Sequence, residues 1–132
     1  MRNQLPCTVK AVAAKGPMVR VEILLPDGTA LASRIARESA ELLALAHGLA
    51  VIALCKATAV RIGASFATEE GRNQFSGRVS RMSRASGSPE VTLEMDAGLH
   101  LVGFADAASG LKTGSAAVAE VDEAAVVISV RG

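Results

Sequence analysis

The sequence contains an internal repeat, and this repeat limits the folds open to the chain more than any other feature. Arg2-Asn3-Gln4 recurs as Arg72-Asn73-Gln74, an offset of 70 residues. The same offset matches four further pairs: Leu5 with Phe75, Val9 with Val79, Val21 with Val91, and Gly28 with Gly98. Later pairs follow at an offset of 66: Gly48 with Gly114, Val60 with Val126, and Ile62 with Ile128. We therefore predict two similar domains over 1–64 and 71–132, joined by a short polar linker over 65–70.

Each copy follows the same order of predicted elements. Alternating apolar residues predict strands, and Pro26-Asp27-Gly28-Thr29 predicts a hairpin turn. Ser39 stands where a helix N-cap is expected and Gly48 where a helix ends, so a short helix is predicted over Arg37–Ala46. The first-copy strands are Thr8–Ala13, Val19–Leu25, Ala30–Ile35, Val51–Lys56 and Ala59–Ile62. The second-copy elements are strands Gly77–Met82, Val91–Met95, His100–Phe104, Ser115–Val121 and Ala125–Val130, with a weak helix near Asp106–Leu111.

Five short strands and one helix per copy are the inventory of a small Greek-key barrel of the oligonucleotide/oligosaccharide-binding (OB) type. The predicted fold class is all-β, with one short helix per repeat and two tandem five-stranded barrels. A unit of this size buries little surface, so we expect the copies to stabilise each other and to associate with another chain.

Composition argues against several classes of function. Fourteen Lys and Arg against 13 Asp and Glu leave a formal charge of +1, and the chain has three Phe with no Trp or Tyr. This balance gives no long-range attraction for nucleic acid and no aromatic platform for bases. A local basic run of Arg78, Arg81 and Arg84 is interpreted as a solvated strand and turn, with a weak phosphate or nucleic-acid contact as the alternative.

Catalytic, metal and membrane signals are also missing from the sequence. Cys7, Cys55, His47 and His100 lack the spacing of a zinc site, and no catalytic set or phosphate loop stands out, so we expect neither an enzyme nor a metal centre. The stretch Leu42–Cys55 is shorter than the roughly 20 residues that cross a bilayer, and the N-terminus has no signal-peptide pattern. A cytoplasmic protein is expected.

Three ordered motifs carry a family resemblance that spans both copies. They are Arg2-Asn3-Gln4-Leu5-Pro6, then Ile35-Ala36-Arg37-Glu38-Ser39-Ala40 before a Leu-rich segment, then Leu54-Cys55-Lys56-Ala57-Thr58-Ala59-Val60. Because it contains these three motifs in this order, the chain resembles the molybdate-binding Mop/TOBE family, the molbindins. Tandem copies of this kind occur in di-molbindins and in the C-terminal half of the molybdate-responsive regulator.

The resemblance implies a bound molybdate, or tungstate, and a set of residues around it. A tetrahedral dianion requires donors and cations, which Arg2, the Ser39 hydroxyl and Lys56 supply. The ligand-binding residues implied by the motifs are Arg2, Asn3, Ala36, Ser39, Lys56 and Ala57. The family's sites lie between subunits, so a homo-oligomer, dimer or trimer, is expected.

The sequence also departs from the family pattern. The family opens with Ser-Ala where this chain has Met1, and Ala36 stands where the family often has Thr. The offset of 66 places Asp122 at the position of Lys56, and a carboxylate there repels an oxyanion. We therefore expect the first copy to bind ligand and the second to serve as its structural partner.

Three functional hypotheses follow. The first is an intracellular, non-catalytic molybdate-binding protein for molybdenum homeostasis, acting in storage, delivery or transport-linked sensing. The second is the effector module of a molybdate-dependent transcriptional regulator whose DNA-binding part is on another chain or was lost. The third is a degenerate barrel that serves only protein or oligonucleotide contacts.

Overall fold

A computed structural model describes residues 2–83 and 87–130, so Met1 and Arg84 lie outside the described residues. The chain divides into two compact units. Unit 1 comprises residues 1–3 and 56–122, and unit 2 comprises residues 4–55 and 123–132. The strands are β1 Arg2–Lys15, β2 Met18–Leu24, β3 Ala30–Ala36, β4 Ala50–Lys56, β5 Arg61–Gly63, β6 Arg72–Ser83, β7 Glu90–Met95, β8 His100–Ala105, β9 Ala116–Asp122 and β10 Val127–Val130.

Unit 1 is built on a closed barrel. Its strands follow the order β5-β8-β7-β6-β9, and β9 pairs with β5 to complete the circle. Short β5 runs parallel to β8, while the other pairs are antiparallel. The largest fully buried side chains in this unit are aliphatic: Val60, Val79, Val91, Leu93 and Leu101. Small branched side chains suit the narrow interior of a five-stranded barrel, which explains why the chain needs few rings.

Unit 2 contains the related five-stranded sheet, in the order β10-β4-β1-β2-β3. The helix α1, Arg37–Leu42, follows β3 directly and buries only Ala40. Val9, Val21 and Ile23 form the fully buried centre of this sheet. Ser33 is buried with them, and its hydroxyl donates a 2.5 Å hydrogen bond to the carbonyl oxygen of Val126.

The last strand of each sequence repeat belongs to the unit built from the other repeat. β5 comes from the first repeat and closes the barrel of β6–β9, whereas β10 comes from the second repeat and pairs with β4. The repeats predicted over 1–64 and 71–132 therefore do not coincide with the compact units. A strand of three or four residues has little intrinsic preference for one partner strand. The surrounding fold therefore determines which sheet it completes.

Local geometry repeats at the offsets found in the sequence. The pairing of β1 with β2 shifts between Val9 and Ala11, and that of β6 with β7 shifts between Val79 and Arg81. The predicted turn at Pro26–Thr29 is confirmed, with Gly28 at φ 91°. The backbone N–H of Thr29 donates to the Asp27 carboxylate at 2.9 Å. A bulge and a turn that recur 70 residues later indicate that one template shapes both copies.

The helix predictions need correction. The predicted helix over Arg37–Ala46 ends at Leu42, because Ala44 adopts a left-handed φ of 51° and Leu42 is 80% exposed, so no apolar face continues the helix. The segment Asp106–Leu111 forms a turn, in which the N–H of Ala108 donates to the Asp106 carboxylate. The second repeat therefore has no counterpart of α1 in its described residues. Within the described ranges, no helix is long and apolar enough to cross a membrane.

Candidate functional site

The six predicted ligand residues fall into two groups. Arg2 and Asn3 begin β1, Lys56 ends β4, and Ala57 begins a short 3₁₀ helix, Ala57–Ala59; all four belong to unit 1. Ala36 ends β3 and Ser39 lies in α1, and both belong to unit 2. The structure thus gathers the Arg and Lys motifs into one unit.

Asn3 is occupied by a structural role. Its side-chain amide donates to the carbonyl oxygen of Val102 at 2.8 Å and accepts from the Val102 N–H at 2.8 Å. The side chain thereby continues the hydrogen bonding of β8 as a strand residue would, and it is 7% exposed. These bonds anchor the start of β1 and fix the position of its neighbour Arg2.

Arg2 and Lys56 are exposed cations at the ends of neighbouring strands. β1 and β4 are hydrogen-bonded neighbours. In the second repeat Arg72 lies opposite Asp122 and Gln74 opposite Glu120. When the offsets of 70 and 66 are applied, the same register pairs Arg2 with Lys56 and Gln4 with Leu54. Neither Arg2 nor Lys56 forms an ion pair within the described part of the chain.

The helix contributes less to an anion site than the sequence predicts. Ser39 is the third residue of α1, so the prediction that it caps the helix is wrong. The cap position belongs to Ala36, which has extended backbone angles and makes no side-chain cap hydrogen bond. A helix of six residues aligns few peptide dipoles, so it offers the exposed Ser39 hydroxyl and the backbone N–H groups of its first turn with little added electrostatic attraction. Ala57 is 3% exposed and has an apolar side chain, so its side chain supplies no donor.

The second repeat presents the same strand ends with a different charge pattern. Arg72 Nη1 donates to Glu120 Oε1 at 2.8 Å, and Arg72 Nε lies 3.2 Å from Asp122 Oδ1. Gln74 donates to the other Glu120 oxygen at 3.0 Å, and Arg61 lies 3.4 Å from Oε1. The hydrogen bond to Glu120, with Asp122 and Glu69 nearby, raises the pKa of Arg72. Arg72 is therefore fully neutralised by side chains of its own unit.

Comparisons with known proteins identify the family of this chain. The TOBE domain family model matches residues 1–62. A solved structure of the cytoplasmic molybdate-binding protein ModG, with molybdate bound, is 30% identical and superposes with a TM-score of 0.91 over 98% of this chain and 96% of that one. The chain belongs to the Mop/TOBE family. The molybdenum-pterin-binding protein MopA of Rhodobacter capsulatus is 34% identical over 71% of this chain, which spans 36% of the length of MopA.

A second buried carboxylate stabilises unit 2 of this Mop/TOBE chain. Glu123 is 4% exposed, and its oxygens accept from Arg20 at 3.1 Å and from Arg34 at 3.0 Å. Burial by itself would raise the pKa of Glu123, but the hydrogen bonds and charges of the two arginines outweigh it, so the pKa lies below its usual value of 4.5. At the matching position of the first repeat stands Ala57.

Sequence reasoning missed Glu120 and Glu123. The repeat contained a signal for both, because the offset of 66 matches them with Leu54 and Ala57 of the first repeat, two apolar residues. A buried carboxylate at a position where the other repeat has an apolar residue requires partners. The partners come from strands distant in sequence, so the sequence alone does not identify them.

A large cleft of unit 1 lies away from the predicted site residues. The cleft, of about 710 Å³, is lined by Arg61, Phe66 and Phe104 among others, and none of the six predicted residues lines it.

Burial raises the pKa of the Cys7 thiol to about 11, which makes it an unreactive core residue. Across residues 2–83 and 87–130, no group of three or more His, Cys, Asp or Glu residues could hold a metal ion.

Proposed function

We propose that this chain binds molybdate without catalysis, as a cytoplasmic protein of molybdenum homeostasis, with Arg2 and Lys56 as the cations that hold the dianion. The observation that carries the proposal is the pair of unneutralised cations at the adjacent ends of β1 and β4. Like charges on opposed strand residues are destabilising, and a bound dianion removes this repulsion. The molybdate-bound state of the similar ModG structure supports the choice of ligand.

The remaining donors come from polar groups without a negative charge. The Ser39 hydroxyl and backbone N–H groups complete the set when a second copy of the chain supplies them. Hydrogen phosphate carries a proton that needs an acceptor, and a site whose only acceptor is one hydroxyl pairs that proton poorly, at a cost of up to about 3 kcal/mol. Molybdate and tungstate carry no such proton at neutral pH, and we expect both to bind in preference to phosphate.

Association of copies into a dimer or trimer is part of the proposal. Unit 2 exposes large apolar side chains at Val12 (40%), Met18 (41%) and Leu42 (80%). A groove of about 340 Å³ beside them is lined by residues of the β1–β2 hairpin and α1. Exposed apolar surface next to a groove is typical of a protein contact. A neighbouring copy on this face would contact α1, the helix that carries Ser39.

The direct test is calorimetric titration of Lys56→Ala with molybdate. Loss of a charge-assisted hydrogen bond of about 1.5 to 3 kcal/mol lowers the affinity by roughly 10- to 100-fold. The matched control is Lys112→Ala, another exposed lysine without an ion pair in the described part of the chain, which keeps wild-type affinity. Equal affinities in the two variants would remove Lys56 from the site.

Ligand binding should also stabilise the assembly. At a molybdate concentration about 100 times the dissociation constant, linkage adds about 2.7 kcal/mol to the free energy of unfolding. Thermal unfolding followed by circular dichroism, together with native mass spectrometry, measures this gain and the number of ligands per oligomer. The same concentration of phosphate should leave the unfolding temperature unchanged. Stabilisation by phosphate equal to that by molybdate would contradict the proposed selectivity.

A further inference from the structure

The two repeats retain the same donors but differ in what faces them. Arg72 and Gln74 on β6 match Arg2 and Gln4 on β1. The residues opposite them on β9 are Asp122 and Glu120, whereas the matching residues on β4 are Lys56 and Leu54. The second repeat has therefore kept its Arg and Gln and has gained two carboxylates.

The Glu120 carboxylate is held as a small oxyanion would be held. It is 4% exposed, and each oxygen accepts from a side-chain donor: Oε1 from Arg72 at 2.8 Å and Arg61 at 3.4 Å, Oε2 from Gln74 at 3.0 Å. Arg61 lies over the Phe66 ring, 5.1 Å from its centroid, which orients its guanidinium group. These three partners, Arg72, Arg61 and Gln74, are all donors, as an oxyanion site requires.

A carboxylate attached to the chain has a large advantage over a free anion. It is present next to its partners at a very high effective concentration, and its binding costs no translational entropy. Asp122 and Glu69 add negative charge within 3.2 Å and 3.5 Å of the Arg72 guanidinium. A free dianion must therefore displace one carboxylate and approach two more.

We propose that Glu120 is a tethered substitute for the ligand: its carboxylate occupies, beside Arg72 and Gln74, the place that the oxyanion takes beside Arg2 and Gln4 in the first repeat. This inference rests on the proposed function. It states that Arg72 and Gln74, which match Arg2 and Gln4, are already occupied by a carboxylate of the chain and are therefore closed to a free oxyanion. It also makes Leu54 the residue that keeps the first site open.

The first test installs the tethered carboxylate in the first repeat. Leu54→Glu should lower molybdate affinity at least 100-fold in calorimetry, because the new carboxylate reaches Gln4 and Arg2 as Glu120 reaches Gln74 and Arg72. Leu54→Gln is the matched neutral control and keeps affinity within a few-fold of wild type. Leu54 is only half-buried, so both variants should fold, which circular dichroism checks. Equal affinity of the Glu and Gln variants would overturn the inference.

The second test opens the second repeat. In a Lys56→Ala background, whose own site binds roughly 10- to 100-fold more weakly, Glu120→Leu combined with Asp122→Lys should restore tight molybdate binding. Restored tight binding supports the inference, and a folded variant that binds molybdate no more tightly than Lys56→Ala contradicts it. If this variant does not fold, the comparison of Leu54→Glu with Leu54→Gln decides whether the inference holds.

The two proposals fail in different ways. Wild-type protein that binds no molybdate would overturn the proposed function. Wild-type binding that Lys56→Ala weakens, together with unaltered binding in Leu54→Glu, would leave the proposed function standing and remove the role of Glu120.

Discussion

Replacing both Arg20 and Arg34 with Met should destabilise the protein by about 3 to 5 kcal/mol at pH 7, the cost of leaving a buried charge without a partner. The charge is that of Glu123, whose side chain is 5% exposed and accepts hydrogen bonds from both arginines. Met keeps most of the length and apolar contact of each arginine stem. Urea unfolding followed by circular dichroism measures the loss.

The pH dependence gives this prediction a second signature. In the wild type, the pKa of Glu123 lies below 4.5, so its contribution is complete above that pH and is lost as the pH falls through the lowered value. In the double variant only burial acts on the carboxyl group, which raises its pKa above 4.5. The deficit of the variant relative to the wild type should therefore shrink as the pH falls from 7 towards 4.

A third substitution provides the control. Adding Glu123→Ala to the double variant removes the buried charge and introduces the residue that the first repeat carries at this position, Ala57. Most of the lost stability should return. A double variant as stable as the wild type at pH 7, or a triple variant no more stable than the double, would show that the carboxylate does not depend on its arginines.

The elements that the sequence predicted best are those encoded locally. The turn at Gly28 and its counterpart at Gly98 require positive φ, which glycine adopts without strain, and both were recognisable from their position between alternating strands. The strand predicted over Val19–Leu25 shows the period of two that defines a half-buried strand, with every second residue buried. The strand predicted over Thr8–Ala13 lies within β1, but its burial alternates only as far as Val9 and the residues after it are exposed. Local patterns of this kind need no knowledge of partners.

The features that the sequence did not reveal depend on distant partners. The exchange of β5 and β10 between the repeats joins short strands to β9 and β4, and nothing in a segment as short as Arg61–Gly63 specifies which sheet it completes. Ser39 looked like a helix cap, but the backbone of β3 continues to Ala36 and places the helix start there.

The candidate site shows the same division. Arg2 and Lys56 were identified from motifs and lie at adjacent strand ends, whereas Asn3, chosen from the same motif, is used to bind the backbone of Val102. A motif records which residues recur together. It does not distinguish a residue that contacts a ligand from one that positions its neighbour.

Gly77→Ala should destabilise the protein by about 3 kcal/mol, through a clash that the backbone cannot avoid. A Cβ atom at Gly77 would lie 2.2 Å from the carbonyl oxygen of Glu94 and 2.9 Å from the Cα of Met95. Both are backbone atoms of β7, so no side-chain rotation relieves the contact. Overpacking of this kind costs about 1 to 3 kcal/mol, and the rigid neighbours place it at the upper end.

The repeat explains why only one copy needs this glycine. Gly77 pairs with Met95 in the register of β6 and β7, whereas the pairing of β1 with β2 begins at Thr8 and Leu24, one position after Cys7. Cys7 occupies the matching position without that close strand contact. The clash at Gly77 should therefore separate β6 from β7 at this end and disturb the strand that carries Arg72 and Gln74.

Thermal unfolding of Gly77→Ala measures this effect, with an expected fall in the unfolding temperature of roughly 10 °C. Gly63→Ala is the matched control in the same barrel, because its added Cβ would meet only the Phe66 side chain, at 3.1 Å, which can rotate away. The control should lose only a few degrees. An unfolding temperature for Gly77→Ala equal to that of the control would contradict the close approach of β6 and β7, since backbone carbonyls offer no alternative way to accommodate the methyl group.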